Sequence, residues 1–427
     1  MKKIILTLLI LGNIIMAATV ENIKVNGLDI PVIFEQDKRL PLVTMQFVFK
    51  NSGSIADTTK AGLAKFSAKV MNEGTKELGS SAFAEVLESK AIHIATSTGR
   101  ETLVMEAGCL KEEFDNALKY FDSLLKDPNI TEDVVSKVKT DTLGSLARKE
   151  NDFDYIASSE LKALLFEGTV LANPSLGTQE SVKSITLGDV KKFVADNLVS
   201  SKLIVVVGGD VEREKIKAKI AEVIKSMPLG KDGEVKKYEV TKVPKEKIIK
   251  KDTQQAYIYF GSPYNVTENS PDYYKARVAL YILGTGGFGS RLMEEIRVKK
   301  GLAYSAYARV DITKSSNFMN GYLQTKLDSL EDAKKTVKDV VAKFVKDGVT
   351  KDELEQTKKF LQGSEPLRVE TMSQRLNRTF MEYYKGQELG YSLKELELIK
   401  NLKLKDLNEF IKEHKEILEM SFAIVTK

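Results

Sequence analysis

The chain has 427 residues, too many for one ordinary domain, and its 42% apolar fraction supports full-sized cores. A net charge of +5, drawn from interspersed Lys-rich and Glu-rich stretches, lacks the concentrated basic face of a nucleic-acid binder, so no nucleic-acid partner is expected. One cysteine and two histidines exclude a disulfide framework and a four-cysteine metal site.

The chain opens on "MKKIILTLLILGNIIMAATVEN". Lys2 and Lys3 precede an apolar run from Ile4 to Met16, short for a membrane span, and Ala17 and Ala18 supply small residues for cleavage. Residues 1–18 therefore read as a signal peptide, with an uncleaved anchor as the alternative. No later segment reaches the length of an apolar membrane helix. The mature chain is expected to be soluble, free of the membrane after cleavage, and exported to a bacterial periplasm.

A first domain is expected over 19–226. "KAGLAKFSAKVMNEGTKELG" (60–79) reads as a short helix followed by a Gly-containing turn. Lys65 and Lys69 stand at i and i+4 on one face, with Ala68 between them. They read either as exposed helix residues or as partners for acidic groups on another molecule. Cys109 has no partner for an internal disulfide. His93 and His414 lie far apart, neither has a second His at helical spacing, and both read as surface or packing residues.

Two long-period matches follow. "FDNALKYFDSLLKDPNITEDVVSKVKTDTL" (114–143) lines up with "DAKKTVKDVVAKFVKDGVTKDELEQTKKFL" (332–361), each an amphipathic helix, a turn and a Thr-Xaa-Asp helix start. Thr131 and Thr350 are suited to cap the second helix of each copy. "ITLGDVKKFVADNLVSSKLIVVVGG" (185–209) resembles "LKLKDLNEFIKEHKEILEMSFAIVTK" (402–427), with Leu187, Asp189 and Phe193 matching Leu404, Asp406 and Phe410. "VTMQFVFKNSGS" and "TQQAYIYFGSPY" open the copies as alternating strands. The mature chain thus reads as two similar halves, joined by a surface linker at 227–247 and completed by a second domain at 248–427. Strands and helices mix without regular βαβ alternation, which argues for the α+β class.

The second half carries "YYKARVALYILGTGGFGSRLMEEIRVKKGLAYSAYARVD" (273–311). Ser270-Pro271 reads as a helix cap, and Tyr274, Val278, Tyr281 and Ile282 as the apolar stripe of the helix that follows. "GTGGFG" matches the spacing of a dinucleotide fingerprint but follows a helix pattern rather than a strand, and no Gly-Lys-Ser/Thr follows for a P-loop. A second helix is expected from Ser290 to Lys299, stopped by Gly301, and then the strand "LAYSAYARV". The Gly turn lets Arg297 and Tyr304 converge. A guanidinium and a phenol hold a peptide carbonyl or a developing oxyanion; the plainer reading is a helix-end Arg and a strand Tyr.

"GGFGSRLMEEIRVKKGLAYSAYA" is similar to the second-half signature of the insulinase/pitrilysin (M16) family of zinc peptidases, related to mitochondrial processing peptidase. "AGLAKFSAKVMNEGT" resembles that family's first-half motif "AGLAHxxEHMxFxGT", and "GTQESVKSIT" and "LIVVVGGDV" fit it as well. The resemblance implies two homologous αβ roll domains (the LuxS/MPP-like metallohydrolase fold) enclosing a cavity. Its zinc site does not carry over: the two His fall on Lys65 and Lys69, and the general-base Glu on Ala68. Between Val134 and Lys149 the only acid is Asp141, so the third ligand is missing too. Protonated ammonium groups repel a dication, and no metal is expected on this chain. The Arg/Tyr pair does carry over, Arg297 and Tyr304 falling on positions that contact substrate at the scissile bond. The strand at 90–106 falls on the family's strand-addition surface for peptides.

Some members of this family divide the labour between a zinc-bearing subunit and one that lacks the metal but brings the Arg/Tyr pair. The resemblance therefore implies a non-catalytic subunit that binds peptide substrate together with a homologous partner holding the zinc. A stand-alone peptide-binding or scaffolding protein, and an active metallopeptidase with an unorthodox site, are the alternatives.

Overall fold

A computed structural model describes residues 18–427; the segment 1–18, read above as a signal peptide, lies outside the described residues apart from Ala18. Two mixed sheets organise the chain. The first contains β1 (Thr19–Val25), β2 (Leu28–Gln36), β3 (Leu42–Lys50), β4 (His93–Thr98), β5 (Thr102–Leu110) and β6 (Leu203–Gly209), in the order β1-β2-β6-β3-β5-β4. The second contains β7 (Glu246–Lys250), β8 (Gln255–Pro263), β9 (Ala303–Ile312), β10 (Asn317–Lys326) and β11 (Ser421–Thr426), in the order β7-β11-β8-β10-β9. Five strands of each sheet share one topology. In each the pair formed with the last strand of the half is parallel (β2 with β6, β7 with β11), and the remaining pairs are antiparallel.

Alternation along the strands sets which side chains enter the cores. In β5, "TLVMEAGCL" buries Leu103, Met105, Ala107 and Cys109 and leaves the intervening residues half-exposed. Phe47 of β3 lies opposite Met105 and Val205 and meets the Phe121 ring edge-on, with centroids 4.9 Å apart. Helices Phe114–Lys126 and Glu132–Lys149 belong to this layer; Leu330–Asp347 and Lys351–Gly363 are their counterparts in the second half. Thr131 accepts from the Val134 amide and Thr350 from the Glu353 amide, so both caps form.

β6 and β11 are buried along their whole length. Each has helices of its own half on one face. The other face is covered by a helix from the opposite half, an exchange that nothing in the periodicity signals. Helix Phe153–Leu165, from the first half, lies across β8 and β11 of the second sheet, and helix Met372–Lys385, from the second half, lies across β2 and β6 of the first. Leu161, Leu165 and Phe166 pack with Phe318 and Ala423; Leu376 and Tyr384 pack with Ile33, Val48, Ile204 and Val206. A glycine makes room for each crossing. A Cβ on Gly208 would lie 2.7 Å from Leu376 Cδ1, and one on Gly261 would lie 2.8 Å from Leu165 Cδ1.

Polar contacts lock the exchange. Arg375 donates to Glu35 Oε1 at 2.5 Å and Asp37 Oδ2 at 2.9 Å. Glu101 accepts from the Tyr384 hydroxyl at 2.9 Å and the Ser315 amide at 2.6 Å. Residues 228–245 contain neither helix nor strand, yet the Tyr238 amide donates to Ser315 O, the Thr241 amide donates to Leu165 O, and Val240 is buried in the seam.

Two local expectations need correction. Ser270 does not cap the helix: Asp272 holds the N-cap place and the helix runs Tyr273–Leu280. The Tyr273 amide donates to Ser270 O, so a turn uses up Ser270-Pro271 before the helix begins. The expected helix from Ser290 to Lys299 is a single regular turn, Arg291–Met293, followed by a wide π-type turn, Glu294–Lys299. The preceding helix also ends in a π-type turn, Tyr281–Thr285, where Gly284 is pressed against Ala308: a Cβ there would sit 2.3 Å from the Ala308 nitrogen. The Gly-rich run is thus a close helix–strand contact.

Candidate functional site

The first candidate lies on helix Leu63–Met71. Gly62 precedes it with φ 85°, and Asp57 accepts from the Gly62 amide at 3.0 Å and the Ala64 amide at 2.6 Å. Leu63, Ala64, Phe66, Val70 and Met71 turn into the core. Lys65 and Lys69, one turn apart, stay half-exposed, and Ala68 is buried. Lys69 Nζ donates to Thr142 Oγ1 at 3.0 Å, so a hydroxyl on the facing helix Glu132–Lys149 meets it and Asp141 remains exposed. Burial lowers the Lys69 pKa, the neighbouring charge on Lys65 adds to that, and Asp141 partly opposes it.

These residues do not fit a divalent metal. Among the described residues, no three His, Cys, Asp or Glu side chains are grouped to hold one. His93 faces Glu106 at 3.6 Å, and His414 Nδ1 lies 2.9 Å from Glu416 Oε1. Cys109 is buried, and burial pushes its thiol up to about 11, which removes it as a nucleophile.

β4 forms the outer edge of the first sheet, beside this helix. Its edge is partly closed. Asn72 donates to Thr96 O at 2.9 Å and accepts from the Thr96 amide at 2.7 Å, occupying an outward-facing backbone pair that an added strand would need. The sequence pattern gave no sign of this contact, because Asn72 and Thr96 meet only in the packed structure.

The second candidate lies between the wide turn Glu294–Lys299 and β9. Gly301, at φ 62°, reverses the chain, and the Leu302 amide donates to Ile296 O at 2.8 Å. Arg297 and Tyr304 do converge: the guanidinium carbon stands 4.2 Å from the Tyr304 ring centroid. It also stands 4.5 Å from the ring of Phe288, a residue of the Gly-rich run that the sequence reading passed over. Tyr304 is 81% exposed and Phe288 64% exposed, so the cation is held between two aromatic faces open to solvent. A fixed guanidinium beside a free phenol presents several hydrogen-bond donors to an incoming acceptor. No hydrogen bond or ion pair among the described residues joins this pair to Lys65 or Lys69.

Known proteins match along the whole chain. Residues 32–179 fit the family described as "Insulinase (Peptidase family M16)", and residues 184–361 fit "Peptidase M16 inactive domain". A protein of Helicobacter pylori described as "Non-peptidase homolog YmxG" is 43% identical over 429 residues, covering 100% of this chain and 99% of its own.

The chain belongs to peptidase family M16.

Within M16 the fold is similar to two solved structures. A peptidase M16 inactive domain from Pseudomonas fluorescens superposes with TM-score 0.87 at 23% identity, covering 95% of this chain and 98% of that one. A protease from Helicobacter pylori gives TM-score 0.83 at 16% identity, covering 96% and 100%. This member is of the inactive M16 type, with Lys65, Ala68 and Lys69 at the metal-motif positions. Where the motif reads Phe in "HMxFxGT" the chain has Asn72, the residue that closes the β4 edge.

Proposed function

We propose that this chain is the non-catalytic subunit of a two-chain M16 peptidase in a bacterial periplasm, presenting Arg297 and Tyr304 to peptide held at a homologous partner's zinc site. The observation that carries the reading is one pair beside one loss. Tyr304 is exposed, Arg297 beside it is half-exposed, and among the described residues neither side chain makes a hydrogen bond or ion pair, while the metal positions hold Lys65, Ala68 and Lys69. A donor pair whose phenol is open to solvent serves a carbonyl supplied from outside. Hydrolysis itself is assigned to the zinc-bearing partner. Arg297 and Tyr304 would orient the scissile carbonyl and stabilise charge developing on its oxygen. The "non-peptidase" description of the Helicobacter pylori relative supports the same reading. No helix among the described residues is long and apolar enough to cross a membrane.

Purification from the native cell, with mass spectrometry of the proteins that come with it, tests the pairing. A homologue carrying an intact His-Xaa-Xaa-Glu-His helix is the expected companion, and co-expression of the two should yield chelator-sensitive cleavage of a fluorogenic peptide. Robust chelator-sensitive activity from this chain alone would overturn the reading.

A further inference from the structure

A second polar feature lies in the seam between the halves and plays no part in the proposed use of Arg297 and Tyr304. A cleft of about 280 Å³ opens between the β4–β5 turn and helix Phe153–Leu165. Ser54, Thr98, Arg100, Lys162 and Phe166 line it from the first half, and Phe318 lines it from the second. In a chain with 60 acidic residues, no Asp or Glu lines this cleft. We propose that it binds the C-terminal carboxylate of a peptide with an apolar last residue, with Arg100 and Lys162 as the cationic partners.

Arg100 is already oriented. It donates to Asp311 Oδ2 at 2.5 Å and to Ser316 Oγ at 3.2 Å, and its guanidinium carbon lies 5.5 Å from the Phe318 ring centroid. A guanidinium carries five N–H donors, so some remain for a ligand. Lys162 makes no hydrogen bond or ion pair among the described residues. Its side chain is exposed at the cleft, and desolvation by the protein packed around it lowers its pKa. Arg100, Arg309 and Lys65 push in the same direction, while Asp311 opposes them. Among the described residues Lys162 has no ion-pair partner, whereas Arg100 shares Asp311, so the second cation of this concave site is left to an anion supplied from outside. The floor is apolar: Phe166 meets Phe318 edge-on, with centroids 5.2 Å apart, and both are buried.

Size and surroundings favour a chain terminus over a strand passing through. The cleft is smaller than the roughly 300–1,000 Å³ of ordinary small-molecule pockets and has room for about one residue. Thr98 ends β4 at its rim, and Asn72 blocks the outward backbone pair two residues away at Thr96. A peptide seated here cannot continue in extended form along β4.

The inference does not rest on the two-chain reading, because its test uses the isolated mature chain. Peptides labelled at the N-terminus with fluorescein and ending in Leu, as the free acid or as the amide, are titrated by fluorescence anisotropy. The free acid should bind about tenfold or more tightly than the amide, the difference expected for hydrogen bonds to a charged group. Lys162→Met should remove most of that preference, while Lys191→Met, an exposed control with the same charge change, should not. A free-acid peptide ending in Asp should bind more weakly than one ending in Leu. Equal binding of acid and amide, or no binding of either, would overturn the assignment. So would displacement of the peptide by millimolar inorganic phosphate as readily as by unlabelled peptide acid, which would mark a general anion site.

Discussion

Among the described residues Arg297 is fixed by two aromatic rings and by no acid, and its side-chain donors make no hydrogen bond. In the proposed two-chain peptidase, Arg297→Ala and Tyr304→Phe should each cut the rate constant for cleavage roughly 100- to 1000-fold, the usual loss for one donor to a developing oxyanion. Assembly by size exclusion should be unchanged. A rise in the Michaelis constant alone would mean that the residues hold peptide without favouring the transition state. Lys65 and Lys69 lead to a different expectation. After dialysis, metal analysis of the isolated chain should find far less than one zinc per chain; a tightly held zinc lost on mutating helix Leu63–Met71 would contradict it. Asp57 gives a pH signature. Burial raises its pKa from 3.8 to about 7, outweighing the pull of its two amide donors. The folded chain therefore holds this proton more tightly than the unfolded chain does. That contribution to stability is complete below about pH 4 and is lost as pH rises through about 7. Asp57→Asn should flatten this part of the pH profile in urea titrations. It should also cost about 1–3 kcal/mol at low pH, because one of the two amides loses its acceptor.

At the scale of elements, the crossing helices depend on two glycines that strand propensity alone would not choose. Neither Gly208 nor Gly261 has a positive φ; what they provide is space. Gly208→Ala would press on Leu376 Cδ1, on Glu35 O and on Met372 Sδ, and Gly261→Ala on Leu165 Cδ1 and Met319 O. Each should destabilise the chain by about 1–3 kcal/mol through overpacking, read as a lower urea midpoint. Combining Gly208→Ala with Leu376→Ala should cost less than the sum of the two single changes, because the second removes the atom that the first strikes. Additive costs would show that helix Met372–Lys385 is not seated on β6 as described.

At the scale of the molecule, the exchange makes the halves interdependent. Residues 18–226 alone would expose Ile33, Val48, Ile204 and Val206, and residues 227–427 alone would expose Ala423 and Phe318. Each fragment should therefore be poorly soluble when expressed separately, and co-expression should recover a folded complex. The intact chain should unfold in one calorimetric transition, with matching calorimetric and van't Hoff enthalpies. Two separated peaks would mean that the crossing helices do not couple the sheets.

Local chemistry made much of this protein legible in its sequence. Period-two burial marked β3, β5 and β8, Thr131 and Thr350 marked two helix starts, and Gly301 marked the reversal that brings Arg297 to Tyr304. Each of these depends on residues a few places apart, where backbone geometry alone fixes which side chains meet. The loss of a metal site was legible for the same reason, since Lys65, Ala68 and Lys69 occupy one turn of one helix. Only the tertiary structure decided the rest. Asn72 at the β4 edge, Arg100 and Lys162 in one cleft, and the two exchanged helices all join residues distant in the chain. The apolar stripe of helix Phe153–Leu165 shows that it must be buried but not against which sheet, because hydrophobic burial is non-directional and either half offers an apolar face.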